Sequence, residues 1–335
     1  MRVDVLINAQ AGRAQEARLR SAIEKSLFRC HLDFHTPKTV SESHVQLNSI
    51  LARGTDALLL CGGDGTLNSA VDPLMRAHLK MGADLPPIGL VSSGTANDLA
   101  TELNLPSKIE RAARAVLEGD RHKVDVLQIT SGDQMRFMLT NGGLGVPAFT
   151  ASLANSFRGW LYDRTVCEKA NRLVKGFFKQ SLSLVRHQGP KIYESMLAYN
   201  LLTWDRQGWD VSLQDHRNEF RTVSPFVMIN NQSRIGRSFR TAPFTKNNDG
   251  HFNVLVMGAF RSVNDYLDLM QIRMGDNPTF GGSKSFETDH LKIRRQGERK
   301  LTFFGDGEIL HEGVDELDIS VCPTSLSVFA GPADT

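Results

Sequence analysis

Residues 61–68 read Cys-Gly-Gly-Asp-Gly-Thr-Leu-Asn. An apolar run, Ala57 to Leu60, leads into them, and a helical pattern, Thr66 to Leu79, leads out. Gly62, Gly63 and Gly65 let the backbone approach a ligand closely. N–H groups at the start of the helix can then hold phosphate oxygens. There is no lysine of the P-loop type, so this is not a Walker A loop. Asp64 is unfavourable beside phosphate unless a cation offsets it, as the magnesium carried by a nucleoside triphosphate would. The competing reading is a glycine-rich tight turn with an aspartate cap.

A second loop, Ser93-Gly94-Thr95-Ala96-Asn97-Asp98-Leu99-Ala100, also stands between an apolar run, Ile88 to Val91, and a helix from about Asp98. Two such loops at the carboxyl ends of parallel strands can line one crevice. Thr95 offers phosphate a hydroxyl. Asn97 or Asp98 reads equally well as a plain helix cap.

The elements that must position these loops alternate. Val3 to Ile7 reads as a buried strand and Ala14 to Leu27 as a helix, ahead of the two strand–loop–helix units above. That rhythm predicts a parallel sheet covered by helices. After about Lys123 the texture changes to short strand-like runs, VDVLQI, QMRFMLTNGG, ESMLAYNLL, PFVMIN, FNVLVM, KLTFF and LSVF, separated by polar turns such as SGD, NNDG and GDGE. This predicts an antiparallel β domain. We place the α/β domain at 1–123 and a β-sandwich domain at 124–335, with a helical insert at about 155–187. Within the insert, from Trp160 to Val185, apolar residues recur at helical spacing among Arg164, Lys169, Arg172, Lys175 and Lys179. One reading is a basic amphipathic helix on an anionic membrane. The other is a surface helix packed on the β domain.

The chain has 335 residues, 41% hydrophobic and 23% charged, with a formal net charge of +2. This balance argues against a dedicated nucleic-acid binder. Cys30, Cys61, Cys167 and Cys322 have neither zinc nor redox spacing, so reduced thiols in the cytoplasm are expected. No signal peptide and no membrane-spanning run is evident, so any membrane contact is expected to be peripheral, at the inner face of the cell membrane. None of the ten histidines forms a helical metal-ligand pair.

GGDGTLN followed by GTANDLA resembles the diacylglycerol kinase catalytic-domain family of soluble bacterial lipid kinases, with its sphingosine and ceramide kinase relatives. Asn8-Ala9-Gln10-Ala11-Gly12 is similar to the family's Asn-Pro-x-x-Gly nucleotide loop, Asp249-Gly250 to its Asp-Gly, and Asp306-Gly307-Glu308 to its late Asp-Gly-Glu. Ala9, Ser69, Ser92 and Ser93 depart from the family pattern.

The resemblance implies that Gly62, Gly63, Asp64, Gly65, Thr66 and Asn68, with Asn8, Gly12, Thr36, Gly94 and Thr95, bind ATP. It implies a structural Mg²⁺ at Asp249 and the carbonyls of Lys246 and His251, oxygen donors that suit a hard cation. Without the resemblance, Asn248-Asp249-Gly250 is simply a hairpin turn. Glu308 is the implied general base, supported by Asp306, with Asp64 as the rival. Arg234, Arg237 and Arg240 read as solvated turn residues before headgroup or phosphate ligands.

The expected reaction is phosphoryl transfer from ATP to a lipid hydroxyl, diacylglycerol first and a sphingoid base or ceramide next. An NAD kinase shares the GGDGT loop, but GTANDLA speaks against it. A non-catalytic nucleotide- or lipid-sensing module is the reading from another class; the acids at 64, 306 and 308 speak against that. A homodimer stays open.

Overall fold

The computed structural model describes residues 1–8, 13–82, 85–92, 97–118, 120–145, 208–234, 240–258 and 283–330. Gly12, Ser93, Gly94, Thr95, Cys167, Arg237, the ESMLAYNLL run and the basic stretch of the 155–187 insert lie outside the described residues.

The first third alternates as its apolar runs predict. In chain order come β1 (Arg2–Ile7), α1 (Arg13–Ser26), β2 (His31–His35), α2 (Val40–Arg53), β3 (Ala57–Gly62), α3 (Asp64–Met81), β4 (Ile88–Ser92), α4 (Asp98–Glu102) and α5 (Ile109–Glu118). The four strands run parallel in the order β2-β1-β3-β4. Leu6, Leu58 and Leu60 pack on Leu47, Ile50, Val71 and Leu74 of α2 and α3. On the other face, Val3, Val5 and Leu59 pack on Leu19, Ile23, Ala113 and Val116 of α1 and α5. A sheet covered on both sides must be apolar on both, which is why these strands read as continuous runs. The capping residues of α2 are in its sequence: Thr39 Oγ1 accepts from the Glu42 N–H at 3.1 Å, and Glu42 reaches back to the Lys38 N–H.

The remaining strands are β5 (Asp120–Ser131), β6 (Gln134–Met138), β7 (Asn141–Gly145), β8 (Trp209–Gln214), β9 (Glu219–Ser224), β10 (Phe226–Asn230), β11 (Phe252–Val256), β12 (Lys284–Thr288), β13 (His290–Arg295), β14 (Leu301–Gly305), β15 (Glu308–Val314) and β16 (Glu316–Ala330). Six of them form an antiparallel sheet ordered β12-β11-β10-β7-β14-β15. The rest join the parallel sheet, because β16 lies beside β4 at the Val328–Ile88 pair and pairs antiparallel with β5 and β13. One ten-stranded sheet therefore runs from the α/β region into the sandwich. Leu127, Ile129, Leu291, Ile293 and Ile319 of that sheet meet Leu144, Val227, Ile229, Val254 and Phe303 of the other. Each such side chain is worth about 1.5–3 kcal/mol when buried.

One expectation is corrected. The run from Gln134 to Gly143 reads as a single strand, but it breaks at Leu139–Thr140. β6 pairs with β5 in the ten-stranded sheet, whereas β7 pairs with β10 and β14 in the other. The chain changes sheets there, and it stays buried through the step, at Leu139, Thr140 and Asn141 alike.

Candidate active site

β3 delivers the glycine loop and α3 begins inside it. A Cβ on Gly62 would stand 2.2 Å from Thr66 Oγ1, so only glycine lets the first turn of α3 fold back on the strand end. The Thr66 and Leu67 N–H groups donate to Gly63 O at 3.0 and 3.2 Å. Thr66 Oγ1 accepts from Asn8 Nδ2 at 2.9 Å, which joins the end of β1 to the loop. Gly65 is exposed at the amino end of an eighteen-residue helix. That end carries the positive pole of the helix dipole and favours an anion.

Asp64 reaches away from this opening. Its Oδ2 accepts from the Asn97 N–H and its Oδ1 from the Asp98 N–H, both at 2.8 Å. Asn97 occupies the cap position of α4 at φ 52°, but its side chain makes no cap hydrogen bond. The cap expected from Asn97 or Asp98 is supplied across the crevice by Asp64. Burial raises the Asp64 pKa; the two N–H groups oppose that rise, and the nearby charge of Asp306 adds to it. A half-open cleft of about 20 Å³ lies here between Gly62, Asp64, Ser92 and Asn97, room for roughly one water.

Asp306 and Gly307 form the turn between β14 and β15, at φ 51° and 81°, with Gly305 and Glu308 paired beneath them. Two consecutive positive φ values favour Asp-Gly in a two-residue hairpin. The turn reading of GDGE is therefore correct, and the Asp306 side chain also does something a turn does not require. Its Oδ1 accepts from the Thr140 N–H at 2.8 Å and the Thr140 hydroxyl at 2.6 Å. Its Oδ2 accepts from the Leu139 N–H and from Asn68 Nδ2, both at 2.9 Å. Leu139 and Thr140 are where the chain changes sheets, so their amides have no strand partner and the carboxylate replaces one.

Glu308 follows at the edge of this turn. A Cβ on Gly65 would stand 3.3 Å from Glu308 Oε1, so the carboxylate lies directly against the phosphate loop. The residue is exposed, yet the loop and turn crowd its carboxylate; lost hydration, then the charge of Asp306, raise its pKa. Asp64 and Asp306 have both oxygens occupied, whereas the Glu308 carboxylate makes no hydrogen bond among the described residues.

The other expected residues are more dispersed. Thr36, after β2, accepts from Arg20 Nη2 at 3.1 Å and donates to Glu16 Oε1 at 3.2 Å. Asp249 is exposed, and its Oδ1 takes the His251 N–H at 3.1 Å, the bond of a tight turn. Arg234 serves through its carbonyl, which accepts from Asn141 Nδ2 and Gln232 Nε2. Asp125 was not anticipated. It is fully buried opposite a bulge in β16, where it accepts from the Gly250 N–H at 2.8 Å and the Thr324 N–H at 2.5 Å. It thereby fixes the Asp249 turn to the sheet. The sequence signal was a carboxylate between two buried valines, Val124 and Val126. Ser233 was also missed; its hydroxyl donates to both Glu102 oxygens, at 3.1 and 3.0 Å, tying α4 to the sandwich.

Comparison with known proteins matches residues 2–129 to the diacylglycerol kinase catalytic domain. Residues 179–330 match the YegS C-terminal NAD kinase beta sandwich-like domain. Residues 2–129 therefore carry a diacylglycerol kinase catalytic domain. That domain marks a kinase enzyme, with the GGDG loop inside the catalytic-domain match and the Asp-Gly-Glu turn inside the sandwich match. A Staphylococcus carnosus protein with a lipid-kinase name is 24% identical over 261 residues, 77% of this chain and 72% of that one. Lipid kinase YegS of Escherichia coli K12 is 32% identical over 89 residues, 27% of this chain and 29% of that protein. A crystal structure of a diacylglycerol kinase from Bacillus anthracis superposes with a TM-score of 0.67 at 16% identity, covering 100% of this chain and 98% of that one. Another from the same organism gives 0.73 at 17%, covering 100% and 96%. At such identity the likeness speaks for the fold.

Proposed function

We propose that this protein transfers the γ-phosphate of ATP to a lipid hydroxyl, with diacylglycerol as the first substrate to test and a sphingoid base or ceramide as the next. The observation that carries this reading is the uncommitted Glu308 carboxylate lying against Gly65. The amino end of α3 and the glycine loop bind the phosphates through N–H groups. Gly62, Gly63, Gly65, Thr66 and Asn68 form that loop and the first turns of α3, with Asn8 bonded to Thr66; Thr36, Gly12, Gly94 and Thr95 are the further proposed ATP contacts.

Glu308 accepts the proton of the lipid hydroxyl as its oxygen attacks the γ-phosphorus and the bond to the bridging oxygen breaks, with ADP leaving; the raised pKa strengthens Glu308 as a base. Asp306 is a positioning residue, holding the turn under Glu308. Asp64 shapes the crevice by capping α4. Mg²⁺ carried by ATP would neutralise phosphate charge. The Asp249 turn offers a carboxylate and the Lys246 and His251 carbonyls, hard oxygens that fit Mg²⁺ as a structural ion.

The lipid-kinase names of the Staphylococcus carnosus and Escherichia coli relatives favour a lipid over NAD as acceptor. Purified protein incubated with labelled ATP, Mg²⁺, extracted lipids and NAD tests the reading. Label in a phospholipid product is expected; label in NADP, or in nothing, contradicts it.

A further inference from the structure

Phe244 is the most exposed large apolar side chain among the described residues, at 80%. Single exposed apolar residues are common and need no explanation. This one differs in how it is held. Ala242 and Thr245 are buried, and the Thr245 N–H donates to Ala242 O at 3.0 Å, closing a turn with Pro243 and Phe244 at its tip. The Ala242 N–H donates to Ser233 O at 3.3 Å, and the Thr241 hydroxyl to Asn230 Oδ1 at 2.7 Å. The turn is therefore anchored ahead of its tip by Thr241 and Ala242 and behind it by the Asn247 carbonyl, which accepts from the Asp125 N–H at 2.7 Å, and it presents a phenyl ring to water.

Exposed Arg240 and Lys246 flank the tip, and neither has an acidic partner among the described residues. A ring between two unpaired cations matches the two layers of an anionic bilayer surface. The ring suits the boundary of headgroups and acyl chains, and the cations suit headgroup phosphates. The turn also stands close to the chemistry. Ser233, which holds Ala242, donates its hydroxyl to Glu102 at the end of α4, and the start of α4 is held by Asp64. Phe28, exposed at 74%, lacks this setting: it follows the far end of α1 and has the Arg29 guanidinium over its ring at 5.2 Å.

We propose that the 240–246 turn docks the protein on an anionic lipid bilayer, with Phe244 inserting and Arg240 and Lys246 engaging headgroup phosphates. The proposal rests on the lipid-kinase reading for its purpose, but its test does not require turnover. A Phe244→Trp variant is mixed with vesicles of phosphatidylcholine containing phosphatidylglycerol, and the wild-type emission is subtracted. A blue shift, with quenching by brominated acyl chains, is expected on these vesicles and not on phosphatidylcholine alone. Phe244→Ala should weaken co-sedimentation with the anionic vesicles by about tenfold. Arg240→Ser should weaken it by about fivefold, a loss that shrinks as salt is raised. Any turnover on detergent-dispersed lipid should be unchanged in Phe244→Ala.

Emission of Phe244→Trp that does not move, or sedimentation of Phe244→Ala equal to wild type, overturns the proposal. So does a Phe244-dependent dimer, which would assign the ring to a second copy of the chain. Insertion of Phe244→Trp by a protein that phosphorylates no lipid would uphold docking while removing the kinase reading.

Discussion

The Asn68 side chain donates to Asp306 Oδ2 at 2.9 Å, across 238 residues of chain. Asn68 stands in the first turns of α3, just after the glycine loop, and Asp306 begins the hairpin turn that carries Glu308. This hydrogen bond holds the phosphate loop and the candidate base in register, and it explains why Asp306 is buried with four donors around it.

Asp306→Ala should therefore act on stability as well as turnover. It leaves the Leu139 and Thr140 N–H groups unpaired at a buried change of sheets, at about 1–3 kcal/mol each. Chemical denaturation should show a loss of about 3 kcal/mol. Asn68→Ala removes only the link to α3, so it should cost about 1 kcal/mol and reduce turnover more than its stability loss explains. An Asp306→Ala variant as stable as wild type would mean that the carboxylate does not replace strand partners for those amides.

Asp64→Ala should abolish transfer. The substitution uncaps α4 and frees the Asn97 and Asp98 N–H groups, which releases the second loop from the first. The helix cap alone is worth about 1 kcal/mol, so the protein should remain folded. Full turnover by the folded variant would remove Asp64 from the site.

Much of this arrangement was legible in the sequence, and what was missed follows a pattern. GGDG reads as the passage from a strand into a helix because its glycines stand between an apolar run and a helical pattern, and Asp-Gly at 306–307 reads as a hairpin turn. The sequence does not mark that Asp306 turns inward, since its donors come from residues 68, 139 and 140. The change of sheets at Leu139–Thr140 is hidden for a related reason: a strand-like run looks alike whether it stays in one sheet or crosses between two. β16 is visible only at its apolar end, because Pro323 and the bulge opposite Asp125 interrupt its alternation. β2 is half-exposed, so its pattern is weak.

A pH dependence of stability is expected at His311 on β15. It is buried between the two sheets, and its Nε2 lies 3.1 Å from Ile129 O. Burial lowers its pKa below the ordinary 6.5, the hydrogen bond to Ile129 opposes this, and the charge of Arg136 adds to it. Below 6.5 the unfolded chain takes up a proton that the folded chain resists. The contribution is thus complete above 6.5 and is lost as pH falls toward the folded-state value. Thermal melts from pH 7.5 to 5 should fall more steeply for wild type than for His311→Leu; equal slopes would exclude this residue as the cause.

The pH profile of turnover should carry the mark of Glu308. A base must be deprotonated, and its pKa is raised above the ordinary 4.5 by lost hydration and by Asp306. The acid limb of kcat/KM for lipid should therefore lie above 4.5, with activity rising as pH rises through it. An acid limb at or below 4.5 would place the base elsewhere.

The most direct measurement is transfer of label from ATP to lipid by Glu308→Gln, with ATP binding followed in parallel. The substitution keeps the shape of the side chain against Gly65 and removes its basicity. The account predicts unchanged ATP affinity and a loss of turnover of at least about 10²-fold. Turnover equal to wild type would contradict it.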